Sequence, residues 1–279
     1  MPLAPDLSLD RASLHAAYAA GRLRPEQVVA LVHQRLAALN DPGIFLHLVP
    51  QERAEAAAAA LPAFDPVRYP LWGLPVAVKD NIDVEGLPTT AACPGFAYVA
   101  QATAPAVAGL LDAGAVLVGK TNLDQFATGL VGVRTPYPVP RNAFDPARVP
   151  GGSSSGSAVA VAQGLATLAL GTDTAGSGRV PAALNNLVGL KPSLGVVSTR
   201  GVVPACRTLD CVSVFALSVE DAWAGFAAIA GEDRDDPFSR PIEWQQPTLV
   251  APLRRIGVPR RPELDDEAGR AAWAAARAR

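Results

Sequence analysis

Two serine-rich turns and one lysine at a strand end are the features of this sequence that could carry chemistry. The turns are Gly/Ser clusters at residues 151–157 and 171–178, separated by an apolar segment that is predicted to form a helix and a strand. Lys79 follows a short apolar strand and precedes two polar residues. Serine hydroxyls act as nucleophiles when a base accepts their proton, and a neutral lysine can be that base. Taken alone, each cluster is typical of a surface turn, and Lys79 is typical of a solvated strand end.

The positions of the histidines argue against a common serine hydrolase arrangement. Residues 152–156 match the G-x-S-x-G nucleophile elbow, whose catalytic histidine follows the serine in the chain. The three histidines, His15, His33 and His47, all precede it. An arrangement in which the histidine comes first stays formally open, although these residues lie in segments where structural roles are commoner.

A hydrolase without a suitable histidine needs another base, and Lys79 is the best candidate. Lys120 and Lys191 are rivals by position alone. A free lysine has a pKa near ~10.4, and lowering it to ~7 disfavours the charged amine by about 4 kcal/mol. Burial at a strand end among hydroxyl groups can produce such a shift.

Residues 114–121 match the phosphate-binding pattern GxxxxGK[ST], but their composition favours a strand. The four residues between the glycines are apolar and favour β structure. A phosphate-binding loop exposes backbone N–H groups after a strand, whereas the preceding segment, residues 103–113, is predicted to be helical. We therefore predict a strand here and no nucleotide site.

Composition and charge narrow the class of protein. The chain has 279 residues, of which 49% are hydrophobic and 18% are charged, so it can bury a large core. A net charge of −2 without a basic stripe argues against nucleic-acid binding. Cys93, Cys206 and Cys211 lack C-x-x-C spacing, which disfavours disulfides and structural zinc and favours a reducing, cytoplasmic location. Neither a signal peptide nor a membrane-spanning run is predicted.

Helices and short apolar strands alternate along the chain, with little sign of hairpins. This order predicts an α/β protein whose central sheet is covered by helices on both faces. The predicted helices are 10–20, a segment that begins at Pro25, 52–61, 103–113, 122–128, 158–162, 179–186, 218–231 and 263–279, and the predicted strands are 44–49, 74–78, 115–118, 167–170, 188–190, 196–198 and 212–217.

Taken together, the lysine and the two serine clusters resemble the amidase signature family of Ser-Ser-Lys amide hydrolases. The resemblance extends from Asp10 to Gly231, and its three motifs agree with the family in order and spacing. Within the family, the likeness is greatest to the amidase domains of allophanate hydrolases. The three motifs are Leu74–Asn81, Gly151–Ala158 and Gly171–Arg179, and the segments that carry the likeness within the family are Lys120–Gly132, Thr172–Ala182 and Thr199–Cys206.

The resemblance implies a role for each residue of the three motifs. Ser177 is expected to be the nucleophile that becomes acylated. Ser153, on a cis peptide bond, is expected to accept the proton of Ser177 and to pass its own to neutral Lys79. The other implied residues are backbone N–H groups of an oxyanion hole, at Thr174, Ala175, Gly176 and Ser177 itself, and three residues that support the turns, Ser154, Asp173 and Arg179.

The resemblance also implies an activity, the cleavage of a small amide through an acyl-enzyme with release of ammonia. Allophanate is the expected substrate, in urea degradation, and neither a metal nor an organic cofactor is expected. Three alternatives stay open: another family member, such as the glutamine-handling chain of glutamyl-tRNA amidotransferase, an inactive remnant and, last, a nucleotide-binding protein. Beyond the small-molecule substrate, the resemblance leaves a homodimer open, and neither nucleic acid nor a membrane is expected as a partner.

One amidase domain is expected over residues 1–279, with the family's mixed and mostly parallel sheet. Residues 233–262 are predicted to be a loop, and the terminal helix follows it. The family's domain runs further, and this sequence stops within a helical pattern. We therefore expect the C-terminal part of the domain to be missing, together with residues that select the substrate.

Overall fold

The computed structural model describes residues 7–241, 257–259, 264 and 266–278. Within them the chain forms eight α-helices and eight β-strands. The helices are α1 (Arg11–Ala19), α2 (Pro25–Leu39), α3 (Gln51–Ala59), α4 (Pro105–Asp112), α5 (Ser155–Ala162), α6 (Arg179–Leu184), α7 (Val219–Ile229) and α8 (Glu267–Arg277), and the strands are β1 (Phe45–Leu48), β2 (Pro75–Lys79), β3 (Pro88–Thr89), β4 (Tyr98–Val99), β5 (Val116–Thr121), β6 (Leu168–Thr172), β7 (Val188–Leu190) and β8 (Val212–Ala216).

Six strands form one sheet in the order β1-β5-β2-β6-β8-β7. Strands β5, β2 and β6 are mutually parallel. β1 is antiparallel to β5, β8 is antiparallel to β6, and β7 is antiparallel to β8, so four of the six strands run in one direction. The predicted mixed and mostly parallel sheet is therefore confirmed. The short strands β3 and β4 pair separately.

Helices cover both faces of this sheet, as predicted. Along β6, alternate side chains point to opposite faces. Gly171 lies against Ser154 at the start of α5, whereas Leu168 packs against Gly225 of α7 on the other face. All five residues of β6 are buried, which is typical of a strand between two helical layers.

The parallel pair β2 and β6 positions the polar residues of the two motifs. The carboxyl ends of parallel neighbours lie at the same edge of a sheet. Lys79 ends β2 and Thr172 ends β6, so their side chains meet there. The 151–154 segment lies at the same edge, where Ser153 bonds to Lys79 and Ser154 bonds to Thr172.

The segment that matches the phosphate-binding pattern is a strand, as predicted. β5 covers Val116–Thr121, and α4 precedes it. Lys120 is fully buried, and its Nζ lies 3.1 Å from Asp80 Oδ1. This lysine therefore pairs with a carboxylate inside the protein.

Two predicted elements are wrong. Residues 122–128 form only a short 3₁₀ turn, because Phe126 adopts a left-handed conformation with φ of 51°. The side chain of Asn122 also accepts a hydrogen bond from Leu123 N, which competes with helix formation. Residues 196–198 are not a strand, although Val196 and Val197 are buried. Their backbone follows a turn, and their side chains enter the core without strand pairing.

The chain divides into two compact units, Met1–Ile242 and Glu243–Arg279. In the second unit, α8 begins four residues later than the predicted start at 263, and Asp266 caps it by accepting a hydrogen bond from Gly269 N. In the first unit, residues 233–241 contain no helix or strand, as predicted. Most of the predicted loop 242–262 lies outside the described residues.

Candidate active site

Lys79 is fully buried at the end of β2, and two hydroxyl groups surround its amine. Lys79 Nζ lies 2.7 Å from Ser153 Oγ and 2.7 Å from Thr172 Oγ1. Burial lowers the pKa of Lys79 to about 7, against the opposing effect of the carboxylates of Asp124, Asp173 and Asp210. Near neutral pH a large fraction of this amine is therefore uncharged and able to accept a proton.

The two rival lysines bond elsewhere. Lys120 Nζ donates to Pro88 O and Thr89 Oγ1 in addition to its ion pair with Asp80. Burial lowers the pKa of Lys120, and the Asp80 carboxylate opposes that shift. Lys191 Nζ donates to the carbonyl of the next residue. Of the three candidate bases, Lys79 alone contacts a serine of the two clusters.

The histidines lie away from this group. His15 is on α1 and contacts the Trp72 carbonyl at 3.2 Å, and His33 is on α2. His47 is on β1, 4.0 Å from Asp80. Burial is the main cause that lowers the pKa of each of the three. These positions agree with the structural roles that their sequence context favours.

Ser153 is fully buried, and the Gly152–Ser153 peptide is cis, as the resemblance implies. A side chain at position 152 has no room, because its Cβ would collide with Asp124 Oδ2 and with the backbone of Gly132. Ser153 O accepts a hydrogen bond from Asp124 N at 3.0 Å. The backbone around Ser153 is thus closely packed on Asp124.

Asp124 is a site residue that the sequence analysis missed. Its fully buried carboxylate accepts hydrogen bonds from Gly132 N at 3.0 Å and from Arg134 N at 2.8 Å. It thereby holds the 129–134 segment against the Ser153 turn. The only signal in the sequence is an acidic residue before a glycine-rich segment, and the prediction of a helix at 122–128 concealed it.

Thr172 was also missed, although it lies in the second cluster. Besides Lys79, it contacts Asn81 Nδ2 at 3.4 Å. Its backbone pairs with the side chain of Ser154, which donates to Thr172 O at 3.2 Å and accepts from Thr172 N at 3.3 Å. Ser154 therefore joins the two clusters, and its supporting role stays a prediction.

Ser177 lies in the turn that follows β6, and its side chain is 4% exposed. Ser177 Oγ donates to the Gly129 carbonyl at 3.3 Å, and Ser177 O accepts from Ser154 N at 3.3 Å. The backbones of the two serine turns are therefore in direct contact. Proton transfer between Ser177 and Ser153 stays a prediction, because the Ser177 hydroxyl is bonded to Gly129.

The Ser177 turn is organised around the buried carboxylate of Asp173. Asp173 accepts hydrogen bonds from the backbone N–H groups of Gly176, Gly178 and Arg179. The Arg179 guanidinium adds two more, at 2.9 and 3.0 Å. Burial raises the pKa of Asp173, but these donors outweigh it and hold the pKa below its usual range. These hydrogen bonds link Asp173 and Arg179 within the turn, and their supporting roles in catalysis stay predictions.

The structure corrects one member of the expected oxyanion hole. Gly176 N donates to Asp173 Oδ1 at 2.7 Å, so this N–H is already used within the turn. In the part of the chain that the structure describes, no group accepts a hydrogen bond from the N–H of Thr174, Ala175 or Ser177. These three N–H groups are the free donors of the turn.

A pocket of about 260 Å³ opens beside Ser177. Three segments form its walls: residues 127–130, the turn with Thr174, Ala175 and Ser177, and the loop with Ala205 and Cys206. A space of this size suits a small substrate. No group of three or more His, Cys, Asp or Glu that could hold a metal ion occurs among the residues described.

Comparisons with curated proteins point to one family. Residues 27–277 match the Amidase family. Urea amidolyase of Saccharomyces cerevisiae is 63% identical over 173 residues, which are 62% of this chain and 9% of that protein. The A chain of the glutamyl-tRNA(Gln) amidotransferase of Symbiobacterium thermophilum is 44% identical over 235 residues, which are 82% of this chain and 48% of that protein.

Solved structures agree with the curated relatives. Allophanate hydrolase of Kluyveromyces lactis matches with a TM-score of 0.75 and 48% identity, over 85% of this chain and 39% of that one. Peptide amidase from Stenotrophomonas maltophilia matches with a TM-score of 0.75 and 36% identity, over 85% of this chain and 51% of that one. The chain spans about half the length of these relatives or less. Because the family match covers most of its residues, this chain belongs to the amidase family.

Proposed function

We propose that this protein hydrolyses the terminal amide of allophanate through an acyl-enzyme on Ser177 and releases ammonia. The observation that carries the proposal is the contact of 2.7 Å between the buried Lys79 amine and Ser153 Oγ, beside the turn that holds Ser177. The sequence identity of 63% to urea amidolyase over 173 residues and the structural similarity to allophanate hydrolase support this substrate.

In the proposed mechanism, neutral Lys79 accepts the proton of Ser153, which accepts the proton of Ser177. Rotation about one side-chain bond turns the Ser177 hydroxyl from Gly129 towards Ser153. Ser177 Oγ then bonds to the amide carbon, and the free N–H groups of Thr174, Ala175 and Ser177 donate to the negative oxygen. One such donor typically contributes ~3 kcal/mol to transition-state stabilisation.

The same residues complete the reaction. The proton on Lys79 returns through Ser153 to the amide nitrogen, the carbon–nitrogen bond breaks, and ammonia leaves. A water molecule then loses a proton along the same route and attacks the acyl carbon. Ser177 recovers its proton as N-carboxycarbamate departs, so the reaction consumes one water and needs no oxidant or reductant.

The rate is expected to fall below pH 7, because protonated Lys79 cannot accept a proton. Burial lowers the pKa of Lys79 to about 7, so the neutral fraction falls about tenfold for each pH unit below that value. Ammonia release from malonamide between pH 5.5 and 9 measures the profile, with thermal melting over the same range as the control. An acid limb near pH 4–5 would instead indicate a carboxylate base.

Ammonia release from allophanate, malonamide and glutamine tests the substrate. We expect the highest kcat/KM for allophanate. A preference for glutamine would favour the amidotransferase alternative, to whose A chain this protein is 44% identical over 235 residues. Absence of ammonia from all three, with a well-folded protein, would favour the inactive remnant.

The proposed partners are the small amide and a second copy of the chain. The homodimer and the cytoplasmic location stay predictions, and light scattering in solution measures the first. In the described part of the chain, none of the helices has the length and the apolar composition of a membrane span.

A further inference from the structure

Asp210 connects two walls of the pocket beside Ser177, and the proposed mechanism does not use its hydrogen bonds. It lies two residues before the start of β8, and it is only 7% exposed. Asp210 Oδ1 accepts a hydrogen bond from the Thr174 hydroxyl at 2.5 Å. The two carboxylate oxygens also accept from Ala205 N at 3.1 Å and from Cys206 N at 3.0 and 3.1 Å.

These contacts link segments that are distant in the chain. Thr174 belongs to the turn after β6, whereas Ala205 and Cys206 belong to the loop before β8, and all three line the pocket. Hydrogen bonds to a charged carboxylate are shorter and stronger than those between neutral groups. One buried anion therefore sets the separation of the two walls.

The position of Thr174 matters because its N–H is one of the free donors of the turn. An oxyanion donor acts only when it lies within hydrogen-bond distance of the developing negative oxygen. A displacement of about 1 Å in a positioning element can reduce a rate by roughly 100-fold. The Thr174 hydroxyl is the part of this residue that Asp210 holds.

We propose that Asp210 is a positioning residue. By holding Thr174, it fixes the position of the oxyanion hole and the width of the pocket beside Ser177 that receives a small amide. This inference rests on the proposed function. Asp210 acts through the Thr174 side chain and through the backbone of Ala205 and Cys206, and it does not itself exchange a proton with the substrate.

The first test replaces the Thr174 hydroxyl. Thr174→Val keeps the shape of the side chain and removes the hydrogen bond to Asp210, whereas Thr174→Ser keeps the hydroxyl. Thr174→Val is expected to lower kcat for malonamide, and the rate of covalent modification of Ser177 by a fluorophosphonate, by roughly 10- to 100-fold, with little change in KM. Thr174→Ser is expected to keep both rates close to those of the wild type. Thr103→Val, which removes a hydroxyl outside the lining of this pocket, is the matched control.

The second test separates the effect of the Asp210 charge on the pKa of Lys79 from the effect of Asp210 on the position of Thr174. The Asp210 carboxylate raises the pKa of Lys79, so Asp210→Asn removes one of the charges that oppose neutralisation. The acid limb of the rate profile is expected to move to lower pH in this variant and to stay in place in Thr174→Val. If Asp210 and Thr174 act through their shared hydrogen bond, the variant that combines Asp210→Asn with Thr174→Val is expected to be no slower than the slower of the two single variants.

Two outcomes would overturn the positioning role, and a third would overturn the proposed function. Modification of Ser177 at the wild-type rate in Thr174→Val, with an unchanged melting temperature, overturns the positioning role. Additive losses in the double variant overturn it as well. A wild-type protein that neither releases ammonia nor reacts with the fluorophosphonate overturns the proposed function, and the positioning role with it.

Discussion

Ser177→Ala is expected to lower ammonia release by about 10⁴-fold or more, because it removes the atom that forms the acyl-enzyme. The fold is expected to survive. Ser177 Oγ makes one long hydrogen bond, to Gly129 O at 3.3 Å, whose loss costs roughly 1 kcal/mol or less. Intact mass after treatment with a fluorophosphonate gives a second readout, since the variant is expected to gain no adduct.

Ser193→Ala is the matched control for this experiment. Ser193 is exposed, and the same atom is deleted there without touching the pocket. Wild-type rates and a full adduct are expected for the control. If Ser177→Ala released ammonia as fast as Ser193→Ala, the assignment of the nucleophile would be rejected, whatever the substrate.

Lys79→Met is expected to lower the rate by about 10³-fold or more, because the variant retains the length of the side chain but has no base. The acid limb near pH 7 is expected to disappear from the residual activity. Methionine fits an apolar strand end, so the variant is expected to fold. Its thioether cannot replace the two hydrogen bonds of 2.7 Å that join the amine to Ser153 and Thr172.

The same substitution is expected to change how stability depends on pH. Burial lowers the pKa of Lys79 from 10.5 to about 7. Between these values the unfolded chain holds a proton on Lys79 that the folded protein lacks, so the free energy of unfolding of the wild type rises with pH by up to about 1.4 kcal/mol per pH unit. Lys79→Met lacks this contribution. The wild type is therefore expected to gain stability relative to the variant from pH 7 to pH 10.

Urea denaturation of both proteins at pH 7, 8.5 and 10 measures that difference, in which the contributions of other titrating groups largely cancel. Lys191→Met is the matched control, because Lys191 lies outside the Ser153 network and donates to a neighbouring carbonyl. A constant difference between wild type and Lys79→Met across this range would show that Lys79 keeps its ordinary pKa in the folded protein. The proposed base would then be wrong.

Local sequence patterns were sufficient for most of the fold and singled out Lys79 and the two serine clusters as candidates, whereas the roles of the individual residues came from the family resemblance. The all-buried strand before Lys79 and the strand before Thr172 follow from short apolar runs, and Ser218 caps α7 as its sequence pattern predicts. Such elements depend on neighbours in the chain, so one sequence is enough to predict them. The absence of a histidine after the serine clusters likewise favoured a lysine as the base.

Contacts between distant segments could be decided only by the tertiary structure. Lys79 and Ser153 are 74 residues apart, and they meet because the parallel strands β2 and β6 end at one edge of the sheet, where Ser154 bonds the Ser153 turn to Thr172 of β6. Asp124 was missed because its role is to accept hydrogen bonds from a backbone segment that the fold brings to it.

The oxyanion hole shows, within one turn, the same difference between what the sequence predicts and what the tertiary structure decides. The family resemblance implied N–H donors at Thr174, Ala175, Gly176 and Ser177, but Gly176 donates to Asp173, which leaves the N–H groups of the other three free. A sequence contains every donor, whereas the folded backbone determines which donors are already satisfied. The residue types of this site were thus determined by sequence alone, and their availability for chemistry was determined by the packing of two turns around buried carboxylates.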